Sequence, residues 1–279
     1  MSFEVVNPHS IAEALDALSA EANIVPLAGA TDVMVYLEAH SLRPCTFLNL
    51  QQLPELKPIV PGSRSVILGA LTTYRDVRTS SVRQQFPMLA LAAREIGALA
   101  IQNRGTWVGN IANASPAADG VPALMAYDAE IELTSKDGRR IVPLSRFYHS
   151  YKQMDRRANE LISAIHLPVP QSGWREYFRK VGTRRFQAIS KTLLAGRILL
   201  SADQTVEDLR MVLASVAPYT LRAVQTENVI RGRQLTPELI EEAAEAIQDE
   251  IRPIDDVRST EAYRRRVTSN LLREFLATA

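Results

Sequence analysis

The sequence predicts an α+β fold in two unequal parts, and three observations carry that reading. Short apolar strands alternate with helical patterns over the first 170 residues; a Pro- and Gly-rich stretch, PVPQSG, interrupts the chain at 168–173; beyond it, long apolar runs precede three helical segments. The chain is therefore divided into 1–170 and 171–279, since linkers of that composition mark places where few contacts cross.

Taken in order, Ser10 and Glu13 have the spacing of a capping box, and Ile11, Ala14, Leu15 and Leu18 recur at helical intervals, which predicts a helix over 11–20. IVPL at 24–27 reads as a strand running into the small-residue turn AGATD at 28–32 and then a helical VMVYLEAH. Strand, small-residue turn and helix present backbone N–H groups to an anion. TFLNL at 46–50 and SVILGAL at 65–71 read as strands, and 72–78 and 88–96 as helices. QNRGTWVGNIANASPAAD at 102–119 breaks the rhythm and reads as one long functional loop.

VPALMAYDA then predicts a buried helix, and EIELTSKDGRRIVPL two strands around a turn of Lys136, Asp137 and Gly138. ELISAIHLP at 160–168 is a further strand. After the boundary, YFRKVG, AISKTLLAGRILL and DLRMVLASVAP read as antiparallel strands, with helix as the alternative for the second. Helices follow at about 220–231, after Thr236 as N-cap with Pro237 at the first helical position, and from near Ser259 to Leu276.

Composition removes several function classes. Hydrophobic residues at 46% and charged residues at 23% are ordinary for a packed soluble protein. A net charge of +1, from 32 basic against 31 acidic residues, gives no general pull toward nucleic acid or anionic lipid. The short basic runs at 139, 156, 184 and 264 read as solvated faces. A lone cysteine, Cys45, forms no internal disulfide and holds no iron–sulfur cluster, and His9, His40, His149 and His166 lack metal-site spacing, so no metal is expected on this chain. Neither a signal peptide nor a membrane-length apolar stretch is visible, which makes the cytoplasm the expected location. GxSxG, Walker A and GxGxxG patterns are missing as well.

Two loops offer another route to a nucleotide. AGATD contributes Gly29, and GTWVGNIANASPAAD contributes Gly105 and Gly109 with Thr106, Asn110, Asn113 and Ser115 as neutral hydrogen-bonding groups. Small residues let backbone donors approach phosphate oxygens closely, and Asp119 adds an acceptor for ribose or flavin groups. Either loop alone is commonplace; their joint presence predicts a ligand cradle.

These residues resemble the FAD-binding medium subunit of xanthine dehydrogenase, carbon monoxide dehydrogenase and related molybdenum hydroxylases. PLAGATD, LGALTTYRDV, IQNRGTWVGNIANASPAAD, PALMAYDAEIEL, DGRRIVPLSRFY, FRKVGTRRFQAISK and VAPYTLR follow in the family's order over nearly the whole chain. The resemblance implies a two-part FAD-binding domain of the vanillyl-alcohol-oxidase-like (PCMH) type, with subdomains of about 1–57 and 58–170. A C-terminal domain of antiparallel sheet plus three-helix bundle completes it. It implies FAD on this chain, held by Leu27, Ala28, Gly29, Ala30, Thr31 and Asp32 from the first loop and by Thr106, Gly109, Asn110, Ser115 and Asp119 from the second. Ile162 and Lys180 are placed near the isoalloxazine.

The implied partners are an iron–sulfur small subunit with [2Fe-2S] clusters and a large subunit with the molybdenum cofactor, as a dimer of heterotrimers. Electrons collected here pass to NAD, oxygen or another acceptor, and no catalytic acid or base is required of this chain. Ala30 and Val108 depart from the family, which has glycine at both. If either position needs a positive φ, a side chain there costs about 1–2 kcal/mol. Trp107 is expected to be a packed support for its loop. Two other readings are a scaffold subunit of the same complex without flavin and a free-standing flavin oxidoreductase.

Overall fold

A computed structural model describes residues 3–20 and 23–279. Three strands, β1 (Glu4–Val6), β2 (Ile24–Leu27) and β3 (Thr46–Asn49), form a parallel sheet in the order β1-β3-β2, connected by helices α1 (Ile11–Ala20) and α2 (Thr31–Glu38). Parallel neighbours require such crossovers, which is why strand and helix alternate in this stretch.

An antiparallel sheet follows in the order β4-β5-β10-β6-β7, built from β4 (Ile59–Val60), β5 (Ser65–Gly69), β6 (Glu130–Ser135), β7 (Gly138–Pro143) and β10 (Leu161–Pro168). Between its strands run six helices, most of them short. They are α3 (Tyr74–Thr79), α4 (Val82–Gln85), α5 (Pro87–Glu95), α6 (Leu99–Gln102), α7 (Trp107–Asn113) and α8 (Gly120–Ala126). A small ribbon of β8 (Tyr148–Ser150) and β9 (Gln153–Met154) stands beside the sheet. The β6–β7 hairpin turns where Asp137 and Gly138 predict it, with Gly138 at φ 131°.

The last part is the antiparallel sheet β11 (Arg175–Val181), β12 (Thr192–Leu200), β13 (Val206–Ala214) and β14 (Leu221–Arg222), followed by α9 (Val224–Ile230), α10 (Pro237–Glu250) and α11 (Glu261–Ala277). The second apolar run is thus strand rather than helix. Buried on both faces, β12 and β13 lose the alternation that marks a half-exposed strand. Leu193, Ala195, Val212 and Ala214 join the core of the first part, while Leu194, Ile198, Leu209 and Met211 join the core under the helices.

One expectation is corrected. The stretch 102–119 is not a continuous loop, because Trp107–Asn113 is helical. Thr106 Oγ1 accepts from Gly109 N–H at 2.9 Å as an N-cap, and Trp107, Val108 and Ile111 are buried along one face. The glycine and asparagines disguise an ordinary apolar stripe. The third C-terminal helix starts at Glu261, with Thr260 capping it, and a strand at Leu221–Arg222 occupies the start of the expected 220–231 helix.

Candidate functional site

The C-terminal end of β2 and the loop before α7 meet across a cleft of about 290 Å³. Their approach depends on Gly29: a Cβ there would lie 2.0 Å from the Arg104 carbonyl oxygen. The second loop is latched to α3 by Tyr74 N–H donating to the Gly105 carbonyl and Trp107 N–H donating to the Thr72 carbonyl, each at 3.2 Å. Gln51 Nε2 pins the first loop through the Ala28 carbonyl at 2.6 Å.

Ala30 adopts the left-handed conformation, φ 61° and ψ 4°, and from it α2 begins with no side chain capping it. The first-turn N–H groups of an α-helix have no partner within the helix, and the positive end of its dipole favours an anion. Val108, the other departure from glycine, lies within α7 and needs no left-handed backbone. Trp107 is fully buried, edge-on to Tyr74 at 5.0 Å, as a supporting aromatic.

Of the residues expected from the sequence, Leu27, Ala28, Gly29, Ala30, Thr31 and Asp32 line the cleft from one side. Thr106, Gly109 and Asn110 line it from another, and Ile162 from β10 closes it. The register of β10 shifts between Ile162 and Ala164. Such a bulge re-aims the neighbouring side chain. Ser115, Asp119 and Lys180 do not line it. Ser115 Oγ accepts from Ala117 N–H in the turn after α7.

Asp119 and Lys180 form a buried pair outside the cleft lining. Lys180 Nζ donates to Asp119 Oδ2 at 2.7 Å and to the Glu95 carbonyl at 2.9 Å. Burial pushes the Asp119 carboxyl up to about 6 against the opposing pull of Lys180. Asn110, in the cleft lining, has its Oδ1 2.9 Å from where a Cβ on Gly120, the neighbour of Asp119, would be. Asn110 Oδ1 is buried without a hydrogen-bond partner. An orphaned acceptor of this kind costs free energy until a donor arrives.

Sequence reasoning missed the rim. Tyr36 OH donates to Asn113 Oδ1 and accepts from Lys152 Nζ, each at 2.9 Å, tying α2 to α7 and to the β8–β9 turn. Arg156 also lines the cleft, its Nη1 donating to the Glu160 carbonyl at 2.7 Å. Neither residue sits in a motif, so only the folded arrangement finds them. Burial raises the Asp32 carboxyl, with Lys152 opposing, and holds the buried Tyr74 hydroxyl well above its usual range.

The residues present fit FAD. Backbone donors at the start of α2 suit the diphosphate, and the orphaned Asn110 acceptor suits a hydroxyl or N–H donor of a ribityl chain or flavin ring. Among the described residues no group of His, Cys, Asp and Glu could hold a metal ion, and no helix is long and apolar enough to cross a membrane.

Comparison with known proteins identifies the family. Residues 1–170 match the family model described as FAD binding domain in molybdopterin dehydrogenase, and 176–279 match the CO dehydrogenase flavoprotein C-terminal domain. The chain is 32% identical over 270 residues to the glyceraldehyde dehydrogenase medium chain of Sulfolobus acidocaldarius, covering 96% of this chain and 95% of that one. It is 26% identical over 273 residues to the xanthine dehydrogenase FAD-binding subunit of Escherichia coli O157:H7, covering 97% and 93%. The structure superposes on a chain of carbon monoxide dehydrogenase from Hydrogenophaga pseudoflava with a TM-score of 0.93, at 27% identity, covering 98% of this chain and 96% of that chain.

Proposed function

The chain belongs to the FAD-binding medium subunits of the molybdenum hydroxylases, and from that premise we propose that it relays electrons inside a three-subunit oxidoreductase. An iron–sulfur subunit with [2Fe-2S] clusters supplies them, a molybdenum-cofactor subunit carries out the substrate chemistry, and NAD, oxygen or another acceptor receives them. The assembly is a dimer of such heterotrimers in the cytoplasm. Residues 1–170, in two subdomains meeting near 57, form the FAD-binding domain, and 171–279 the C-terminal one. Bound FAD supplies the ability to take up electrons singly and release them in pairs.

The chain's own residues bind and orient. Backbone N–H groups from Ala28 to Asp32 take the diphosphate. Thr106 and Gly109 shape the facing wall, Asn110 accepts from a ribityl or ring donor, and Ile162 offers an apolar surface to the ring. Ser115 holds the turn that delivers Asp119, and Lys180 orients its carboxylate. No general acid or base is assigned, because electron relay requires no proton-transfer residue at a substrate.

The carrying observation is the convergence of two glycine-containing turns on one cleft, with Gly29 against the Arg104 carbonyl. The test is the visible spectrum of the purified complex. One FAD per chain is expected, and it should be lost in Gly29→Val, whose side chain forces the loops apart. A complex with all three subunits and no flavin would favour the scaffold reading instead, and a flavin-bearing chain without partners would favour the free-standing oxidoreductase.

A further inference from the structure

We propose that the outer face of α3 to α6 carries a second anion site, one that takes a pyrophosphate group of the kind found in nucleoside diphosphates and dinucleotides. A pocket of about 340 Å³ opens there and shares no lining residue with the cleft. Arg75, Arg78, Arg83 and Arg94 surround it, with Thr79 and Asn103 between them. Arg75 and Arg78 lie three residues apart on α3 and so share a face. Arg83 comes from α4 and Arg94 from α5.

Four guanidinium groups are thus gathered in a protein whose net charge is only +1. Among the described residues, none of the four forms an ion pair. Of the neighbouring acids, Asp76 is occupied in the capping box with Thr73, and no ion pair joins Glu95 to the four arginines among the described residues. Gathered like charges repel one another, and a bound anion relieves that repulsion.

The site is also organised in advance. Arg78 Nη1 donates to Oε1 of the buried Gln102, whose Nε2 donates to the carbonyls of Arg94 at 3.3 Å and Ile96 at 3.0 Å. One guanidinium fork is therefore fixed before a ligand arrives, and such forks match phosphate oxygens two by two. Four cations outnumber the roughly two negative charges of a single phosphate group, so two linked phosphates are the better match. Leu99, 69% exposed, gives the pocket an apolar wall on which a nucleoside can rest.

The experiment is calorimetric titration of the flavin-loaded native complex with inorganic pyrophosphate, orthophosphate, ADP and NADH, at low and high salt. Flavin absorbance confirms that the cleft stays filled. Saturable binding of pyrophosphate, tighter than orthophosphate and weakened by salt, is expected. Arg78→Lys, which keeps the charge and loses the fork, should weaken it by about tenfold. Arg83→Gln with Arg94→Gln should abolish it, and the control Arg146→Gln should leave it unchanged. ADP or NADH binding more tightly than pyrophosphate identifies a nucleotide as the natural source; equal affinities identify the pyrophosphate group itself.

Absence of saturable binding at low salt overturns the proposal, as does equal binding of orthophosphate or wild-type affinity in the double variant. If the double variant releases its partner subunits while the native complex ignores pyrophosphate, the face docks an acidic protein surface and the proposal is likewise wrong.

Discussion

At Ala30 the chain places a Cβ where glycine is at ease. The left-handed backbone costs an L-residue about 1–2 kcal/mol. Glycine's greater freedom in the unfolded chain returns roughly 0.5–1 kcal/mol of that. Ala30→Gly should therefore stabilise the protein by about 0.5–1 kcal/mol in chemical denaturation; a destabilised variant would show that the Cβ itself is packed to advantage. Val108 offers no such gain, because it sits in a right-handed helix. Asp119 gives a pH signature. Its carboxyl is raised from 3.8 to about 6 by burial, so the folded state holds its proton more tightly than the unfolded chain. The stability this contributes is complete below pH 3.8 and is lost as pH rises through about 6. Asp119→Asn, which cannot ionise, should flatten stability against pH across that window. It should also lower stability overall, since Lys180, its side chain 2% exposed, loses its carboxylate. Parallel curves for the two proteins across that window would refute the assignment.

Elements rather than residues decide whether the second wall of the cleft is rigid. Helix α7 has seven residues and depends on its cap, so Thr106→Ala should cost about 1 kcal/mol of stability and weaken FAD retention, while Thr106→Ser keeps both. Retention of FAD can be read from the flavin released on dilution. The sheet-to-helix contact of the last part is as tight: a Cβ on Gly196 of β12 would stand 2.7 Å from the Phe275 ring of α11. The elements legible in the sequence were those with strong local chemistry. Thr236 caps α10 with Pro237 in its first turn, and Asp137-Gly138 turns the β6–β7 hairpin. What hid was short or disguised. Glycine and asparagine masked α7, and two-residue strands such as β9 and β14 carry no period to detect. The cleft walls were readable because small residues clustered in two loops. The Asp119–Lys180 pair, 61 positions apart, and the arginine pocket, scattered over 75–94, exist only through tertiary placement.

At the scale of the whole molecule, the last sheet lies between two cores. One face of β12 and β13 supplies Leu193, Ala195, Val212 and Ala214 to the first core, and the other supplies Leu194, Ile198, Leu209 and Met211 to the second. Polar links cross the same seam. Tyr127 OH donates to Glu176 at 2.6 Å, and Arg210 donates to Asp128 at 2.9 Å. Losing either part exposes apolar area that the other had covered, at roughly 25 cal/mol per Å². Unfolding should accordingly be a single cooperative transition, with helix loss and tryptophan fluorescence change coinciding. Residues 171–279 expressed alone should bind hydrophobic dye and fail to show that transition. The coupling also transmits ligand binding: the proposed FAD cleft lies in the first part, yet FAD at a hundredfold excess over its dissociation constant should raise the stability of the whole chain by about 2.7 kcal/mol. Hydrogen exchange in α11 reports this directly, since the helix packs on α10 and β12 and contributes no residue to the cleft lining. Slowed exchange confined to the first 170 residues would mean that the two cores unfold independently.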